Sequence, residues 1–344
     1  MDKKHLLAGA ALLVAGMLFA PPMTNSLEVI STSSQQGIED VSLAKEELIL
    51  DHPVFDESII DDDGVPLASP DSGAQGVAGD KKVSPKGEKK HEKNGSVIDT
   101  TDIGNGYVYI KNDSSKKRLK VQIIKGNSTY NYDLKNGGVY EIFPLQLGDG
   151  SYKIRIMENT SGNKYIPLFE KTLDVKLNNS LSPFLNPNQF VMYNNNWRIV
   201  QKASELTKGK ATEVEKIAAI YDYIIKNVRY DKVKASTVQS GYLPNIDETL
   251  TSKKGICFDY AALLAGMLRS QGIPTRLIVG TVSPSDINHA WNEVYLKDKG
   301  WVSVKIQFEG STWNRMDSTF ASSGNEGIEN FIGNGSNYTG LRLY

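Results

Sequence analysis

Hydrophobic and polar residues alternate with a period of two over residues 101–180. Turn-forming stretches rich in Asn, Asp and Gly separate the alternating segments, as at Gly148-Asp149-Gly150. Such alternation is typical of half-buried antiparallel strands, and about six short strands at this spacing predict a small β-sandwich. The apolar positions of the predicted strands are Tyr107/Tyr109, Leu119/Val121/Ile123, Tyr130/Tyr132/Leu134, Tyr152/Ile154/Ile156 and Leu173/Val175/Leu177.

The pattern changes to a helical period after a connecting segment over residues 181–200. The four residues Thr212-Glu213-Val214-Glu215 have the sequence of a capping box. Apolar residues then recur every three or four positions as far as Val228, which predicts an amphipathic helix.

A second helix is predicted from Cys257 to about Gln271, where Gly272 and Pro274 end it. Helices followed by strands indicate an α+β domain with an antiparallel sheet, and we expect this domain to occupy residues 190–344. The strands are predicted at Arg276–Val279, Ala290–Leu296 and Trp301–Phe308.

Residues 1–20 have the pattern of a signal peptide. A basic start, Asp2-Lys3-Lys4-His5, precedes an apolar run of 15 residues, Leu6–Ala20. A membrane span needs ~20 apolar residues, whereas the core of a signal peptide is shorter. We therefore expect a secreted or cell-surface protein whose mature chain has no membrane span; an uncleaved anchor is the alternative.

Residues 21–100 have the composition of a disordered linker. An acidic stretch ends at Asp61-Asp62-Asp63, a run rich in small residues follows, and lysines then dominate from Lys81 to Lys93. Aromatic residues are nearly absent, so the segment has little apolar area to offset the entropy of ordering. The alternative to a plain spacer is contact between the basic run and an anionic polymer of the cell wall or membrane.

The composition excludes several classes of function. A net charge of -1 over 344 residues makes nucleic acid an improbable partner, and we expect none. Cys257 is the single cysteine, so the chain has no internal disulfide and no cysteine-based zinc site. His289 is the only histidine beyond residue 91, and no glycine-rich phosphate loop precedes a helix. We accordingly expect neither a metal nor a cofactor.

Cys257 and His289 are the candidate catalytic pair. Cys257 stands at the predicted start of a helix, where unpaired backbone N–H groups stabilise a thiolate and can hold the oxyanion of an attacked carbonyl. His289 opens a strand on whose face Trp291, Glu293 and Tyr295 also lie. Taken alone, each residue is better explained by an ordinary structural role. Together they supply the nucleophile and the base of acyl transfer through a thioester.

Three segments resemble the core of the transglutaminase-like superfamily. They are Gly255-Ile256-Cys257-Phe258-Asp259-Tyr260-Ala261, Leu268-Arg269-Ser270-Gln271-Gly272-Ile273-Pro274-Thr275-Arg276 and His289-Ala290-Trp291-Asn292-Glu293-Val294-Tyr295. The resemblance covers roughly residues 200–322. It implies a papain-like fold in which an aspartate completes a Cys-His-Asp triad with Cys257 and His289.

The position of the triad aspartate departs from the family pattern. The family usually has a Trp-x-x-x-Asp-x-Thr sequence soon after the histidine strand, but Trp301 is followed at that distance by Lys305. The full pattern returns twelve residues later, from Trp313 to Thr319, so Asp317 is our assignment, with Glu309 and Asp298 as weaker candidates. The alternative is a degenerate site without its orienting acid.

These observations predict an exported transglutaminase-like cysteine enzyme that forms a thioester on Cys257 and resolves it with an amine or with water. The alternatives are a cysteine protease or amidase of the same fold, and a non-catalytic cell-surface binding module. We expect a protein or peptide substrate, associated with the cell wall. Asp259 is interpreted as scaffold that caps the first turn of the cysteine helix. Tyr230 is a candidate oxyanion donor or lining residue of the cleft, which the sequence alone does not place.

Overall fold

The computed structural model describes residues 85, 87, 89–282, 287–302, 306–307, 313–314 and 338–344. The predicted signal peptide and most of the predicted linker precede this part of the chain. Asp317, Glu309 and Lys305 also lie outside the described residues. The assignment of the triad aspartate therefore stays a prediction.

Eight strands make up the N-terminal region. They are β1 (Lys90–Lys93), β2 (Ser96–Asp99), β3 (Tyr107–Asn112), β4 (Leu119–Lys125), β5 (Ser128–Leu134), β6 (Glu141–Pro144), β7 (Gly150–Ser161) and β8 (Lys164–Val175). They form two four-stranded antiparallel sheets, in the strand orders β1-β2-β3-β6 and β5-β4-β7-β8. Buried side chains from both sheets belong to one hydrophobic cluster, as in a β-sandwich. This arrangement confirms the all-β fold expected before the α+β domain.

The sandwich differs from its prediction in two places. Strands β1 and β2 form a hairpin inside the segment predicted as linker, and Ile98 of β2 is fully buried. In β3 the buried face carries Val108 and Ile110, whereas Tyr107 and Tyr109 are only half-buried on the other face. Tyrosine is amphipathic, so alternating tyrosines do not decide which face of a strand enters the core.

The C-terminal region contains both helices and strands. The helices are α1 (Arg198–Thr207), α2 (Glu213–Asn227), α3 (Lys232–Thr237), α4 (Ile246–Ser252) and α5 (Cys257–Ser270). The strands are β9 (Arg229–Tyr230), β10 (Lys254–Gly255), β11 (Thr275–Val282), β12 (Ile287–Leu296), β13 (Gly300–Val302), β14 (Ile306–Gln307), β15 (Trp313–Asn314) and β16 (Tyr338–Leu343). The helices pack against an antiparallel sheet of order β13-β12-β11-β16, which confirms the α+β class. Strands β9 and β10 form a separate parallel pair.

Both predicted helices form where expected. The Thr212 hydroxyl accepts a hydrogen bond from Glu215 N at 3.2 Å, and the Glu215 carboxylate accepts one from Thr212 N at 3.0 Å. These are the two bonds of the predicted capping box at the start of α2. Helix α5 is buried along its whole length from Cys257 to Arg269, so it forms the centre of the domain.

The two regions share a single hydrophobic core. The Phe190 ring, in the connecting segment, lies 5.8 Å from the ring of Tyr132 in β5 and 5.8 Å from that of Phe258 in α5. It also lies 4.1 Å from the ring of Tyr344. Because Phe258 directly follows Cys257, Phe190 connects the sandwich to the first turn of the helix that carries the candidate nucleophile.

None of the helices in the described ranges combines the length and the apolarity that crossing a membrane requires.

Candidate active site

Cys257 is the first residue of α5 and is 5% exposed. Its predecessor, Ile256, is extended, so the chain turns abruptly from β10 into the helix. The N–H groups of a first helical turn have no partner within the helix and carry a partial positive charge. The structure thus has Cys257, the candidate nucleophile, at the start of a helix, as the sequence predicts.

A buried carboxylate closes this helix start. Asp259 is fully buried, and its Oδ2 accepts hydrogen bonds from Ile256 N and from Lys234 Nζ, both at 2.8 Å. Its Oδ1 accepts a hydrogen bond from the Tyr242 hydroxyl. Burial and the negative charge of Asp259 raise the pKa of Tyr242, so this hydroxyl remains a donor at neutral pH. Asp259 thus caps α5, as the sequence predicts, and also joins α5 to α3.

The sequence provides no sign that Lys234 and Tyr242 belong to this cluster. They precede Asp259 by 25 and 17 residues, and neither occurs in a motif. The two side chains also border a polar cavity of about 600 Å³ beside α3 and α4. Asp231, Asn245, Thr249 and Lys254 are further lining residues of this cavity.

His289 is buried in β12, with 4% of its surface exposed. Its ring is stacked at 6.4 Å on that of Trp291 and meets the ring of Tyr338 edge-on at 6.1 Å. The predicted sharing of a strand face by His289 and Trp291 is confirmed. The β11 residue opposite His289 is Gly280, where a Cβ atom would lie 1.9 Å from Thr339 O. Position 280, opposite His289, therefore has no space for a side chain and requires a glycine.

Two contacts define how α5 lies along the sheet. Near its middle, Ala261 O accepts a hydrogen bond from Asn292 Nδ2 of β12 at 2.9 Å. Near its end, Arg269 Nε donates to Thr275 O at 2.9 Å, and Thr275 pairs with Val294 of β12. Positions along α5 and β12 therefore increase together, which places Cys257 and His289 towards the same end of the layer.

Asp298 does not fit the role of third triad member. It is exposed in the turn that joins β12 to β13, beyond the end of β12 opposite to His289. The seven residues by which β12 continues beyond His289 span roughly 23 Å. The weaker assignment to Asp298 is therefore wrong. The chain between the two residues is a strand that leads away from His289, and it does not fold back towards the histidine.

No group of three or more His, Cys, Asp and Glu side chains able to hold a metal ion occurs within the described ranges.

Residues 200–306 match the family model of the transglutaminase-like superfamily. This segment contains α2, α5, β11 and β12, and therefore both Cys257 and His289. This match confirms the resemblance seen in the sequence motifs.

A curated relative is the uncharacterized protein YebA of Bacillus subtilis, which is 23% identical to this chain over 191 residues. The match covers 49% of this chain and 26% of YebA, so the chain spans about a quarter of that relative.

Two solved structures are similar in part. One is a proposed cysteine protease from Cytophaga hutchinsonii, with 16% identity, a TM-score of 0.36, and coverage of 69% of this chain and 76% of the other. The second is the periplasmic domain of TgpA from Pseudomonas aeruginosa, with 16% identity, a TM-score of 0.29, and coverage of 64% and 74%.

Proposed function

We propose that this protein is an exported transglutaminase-like cysteine enzyme. Cys257 attacks the carbonyl carbon of a carboxamide or peptide, and His289 takes the thiol proton and passes it to the leaving amine. Asp317 holds the imidazole in the tautomer that this transfer needs. The thioester on Cys257 is then resolved by an amine, which forms a cross-link, or by water, which completes a hydrolysis.

One observation carries the proposal. Helix α5 and strand β12 run in the same direction, and Cys257 and His289 both lie near their starts. The Asn292–Ala261 hydrogen bond holds the two elements together, three residues from His289 and one helical turn from Cys257. The match of residues 200–306 to the transglutaminase-like superfamily supports the same roles for the two residues.

The second candidate is a cysteine protease or amidase, in which water resolves the thioester. The triad is the same for both reactions, so access of an amine to the thioester decides between them. The third candidate, a non-catalytic binding module, is favoured by Lys305, which occupies the position where the family pattern has its acid.

The substrate class and the location are also part of the proposal. The apolar segment of residues 1–20 supports export, and the lysine-rich stretch before the sandwich suits an anionic cell-wall surface. We propose a protein or peptide substrate associated with the cell wall. We also propose a division of the chain into residues 1–20, a linker that ends before β1, the sandwich up to residue 180 and the catalytic domain from residue 190.

The test is the rate of Cys257 alkylation by iodoacetamide as a function of pH, in the chain without residues 1–20. The single cysteine makes the signal unambiguous, and no substrate has to be guessed. A free cysteine thiol has a pKa of ~8.5 and alkylates slowly at pH 6. We expect fast alkylation at pH 6 that weakens in His289→Ala and in Asp317→Asn.

Lys305→Met is the matched control, and its alkylation should follow the parent chain. If alkylation at pH 6 is as slow as that of the urea-unfolded chain, and His289→Ala changes nothing, the catalytic proposal fails and the binding module replaces it.

A further inference from the structure

Three tyrosines lie together on the outer face of the sandwich sheet β1-β2-β3-β6. Tyr107 and Tyr109 project from β3 on the side opposite to Val108 and Ile110, which enter the core. Tyr140 directly precedes β6, the strand that pairs with β3. The three side chains, which we call the tyrosine cluster, are each half-buried and so remain in part accessible from solvent.

Neighbouring rings of the tyrosine cluster stand nearly perpendicular to each other. The centroids of Tyr107 and Tyr109 are 5.3 Å apart with 82° between the ring planes, and those of Tyr109 and Tyr140 are 6.5 Å apart with 74°. An edge-to-face pair leaves a corner bounded by the faces of two rings, and the π electrons of a ring face attract a cation.

The two corners differ in what already occupies them. Lys111 Nζ lies 5.3 Å from the centroid of the Tyr140 ring, so that ring has a cation of its own. Over Tyr107 and Tyr109, none of the lysines and arginines that the structure describes lies in this way. The corner between Tyr107 and Tyr109 is therefore the one that can receive a cation from outside.

Carboxylates determine the charge around the rings. Burial raises the pKa of Tyr107, and the negative charge of Asp102 raises it further. Burial and the Tyr107 hydroxyl raise the pKa of Tyr109, and Asp102 adds to the effect. For Tyr140, the charge of Asp99 is the largest cause after burial. The three hydroxyls thus lie in a negative potential, which favours a positively charged ligand.

Asp99 also has a carboxylate oxygen that lacks a partner. It is paired with Tyr109 in the register of β2 and β3, so both side chains lie on the outer face of the sheet. Asp99 is nevertheless fully buried; its Oδ1 accepts a 2.9 Å hydrogen bond from Thr101 N, and its Oδ2 accepts none from the residues that the structure describes. A buried polar atom without a partner calls for a missing group, such as a bound cation.

We propose that the tyrosine cluster binds a quaternary ammonium group, such as the trimethylammonium group of choline, in the corner between Tyr107 and Tyr109. The ring faces attract the cation, and Asp102 supplies the opposite charge. A quaternary ammonium has no N–H groups, so it loses no hydrogen bond against ring faces, whereas a primary ammonium does. This gives the sandwich a binding role that is independent of the reaction at Cys257.

The test compares choline with its neutral isostere, 3,3-dimethylbutan-1-ol, which has nearly the same shape and no charge. Binding of each to the chain without residues 1–20 is measured by ligand-observed NMR titration. We expect choline to saturate the site with a Kd in the ~millimolar range and the alcohol to bind at least ~10-fold more weakly, since only the cation is attracted by the ring faces.

Four variants locate the binding. We expect Tyr109→Leu to weaken choline binding by ~10-fold or more and Asp102→Asn by ~3- to 10-fold, while Tyr109→Phe keeps the ring and stays within ~3-fold of the parent. Asp174→Asn removes an exposed carboxylate from β8, in the other sheet, and is the matched control with unchanged affinity. Thermal unfolding shows that each variant is folded, and Asp102→Asn decides the outcome if Tyr109→Leu does not fold.

Equal affinities for choline and the alcohol would show an apolar patch and overturn the inference. It also fails if choline does not saturate the chain below ~0.1 M, or if Asp102→Asn binds choline as tightly as the parent does. Tighter binding of ethanolammonium than of choline would assign the tyrosine cluster to primary amines instead.

Sedimentation with phosphatidylcholine vesicles identifies the source of the group. Retention of the parent chain, lost in Asp102→Asn, traces it to a lipid headgroup, and binding of free choline alone traces it to a small soluble molecule.

Discussion

Asn292 of β12 donates a buried 2.9 Å hydrogen bond from Nδ2 to the carbonyl oxygen of Ala261 in α5. The same amide group donates to Arg276 O of β11 at 3.1 Å. One side chain thus joins the cysteine helix to two strands of the sheet. Asn292 lies on the face of β12 that packs on α5, amid the apolar residues Ala290 and Val294.

We expect Asn292→Ala to lower the free energy of unfolding by ~1–3 kcal/mol, because a buried donor shared by two elements is lost. It should also slow alkylation of Cys257, since α5 loses its link to the strand of His289. Asn227→Ala removes a half-buried amide that bonds only within α2 and is the control. Urea denaturation measures both variants. Equal losses in the two variants would contradict the linking role of Asn292.

The Lys234–Asp259 ion pair should contribute more to stability than a surface pair. Asp259 is fully buried, so Lys234→Met leaves a buried carboxylate without its cation, at a cost of ~2–4 kcal/mol. Lys226→Met breaks an exposed pair with Asp222 on α2 and should cost less than ~1 kcal/mol. Denaturant unfolding of the two methionine variants measures the free energy of unfolding of each. A loss in Lys234→Met no larger than that in Lys226→Met would refute the larger contribution of the buried pair.

Arg269 joins α5 to three other segments. Its guanidinium donates to the carbonyl oxygens of Thr275, Asn186 and Tyr344, at 2.8–2.9 Å, and its burial lowers its pKa to about 10. We expect Arg269→Met to cost ~3 kcal/mol or more, since three carbonyl oxygens each lose a charged donor and two of these hydrogen bonds are buried. Arg269→Lys keeps the charge but not the planar fork, so its melting temperature should lie between those of the parent and Arg269→Met. A lysine variant as stable as the parent would disprove the need for the fork.

Glu141 makes the stability of the sandwich depend on pH. Its carboxylate accepts a 2.6 Å hydrogen bond from Lys135 N, yet burial raises its pKa. Because the folded pKa lies above the unfolded one, the ionised form costs stability at neutral pH. This cost shrinks once the pH falls below the folded pKa, and it is gone below the unfolded pKa. Glu141→Gln keeps the acceptor and removes the charge.

We therefore expect Glu141→Gln to melt at a higher temperature than the parent at pH 7 and at the same temperature at pH 4. Thermal unfolding at the two pH values measures this. Glu170→Gln, which breaks an exposed pair with Arg155, is the control and should bring no gain at pH 7. A Glu141→Gln variant less stable than the parent at pH 7 would show that ionised Glu141 is stabilising.

The sequence by itself determined the elements whose signals are local. The capping box from Thr212 to Glu215, the start of α5 at Cys257 and the face that His289 shares with Trp291 each depend on residues within a few positions of one another. Such signals act through backbone hydrogen bonds and side-chain period, so they can be read from a short window. The alternation of the sandwich strands is of the same kind.

Only the tertiary structure decided how these elements meet. The contact of Lys234 with Asp259, the pairing of Tyr230 with Gly255 and the burial of Val108 instead of Tyr107 depend on packing between distant parts of the chain. Side chains of lysine and tyrosine are compatible with either a solvated or a buried position, and their local sequence does not choose between them. Whether such a side chain is buried depends on the partner that folding brings near it. Burial of a polar group costs free energy unless the group forms a hydrogen bond or pairs with an opposite charge.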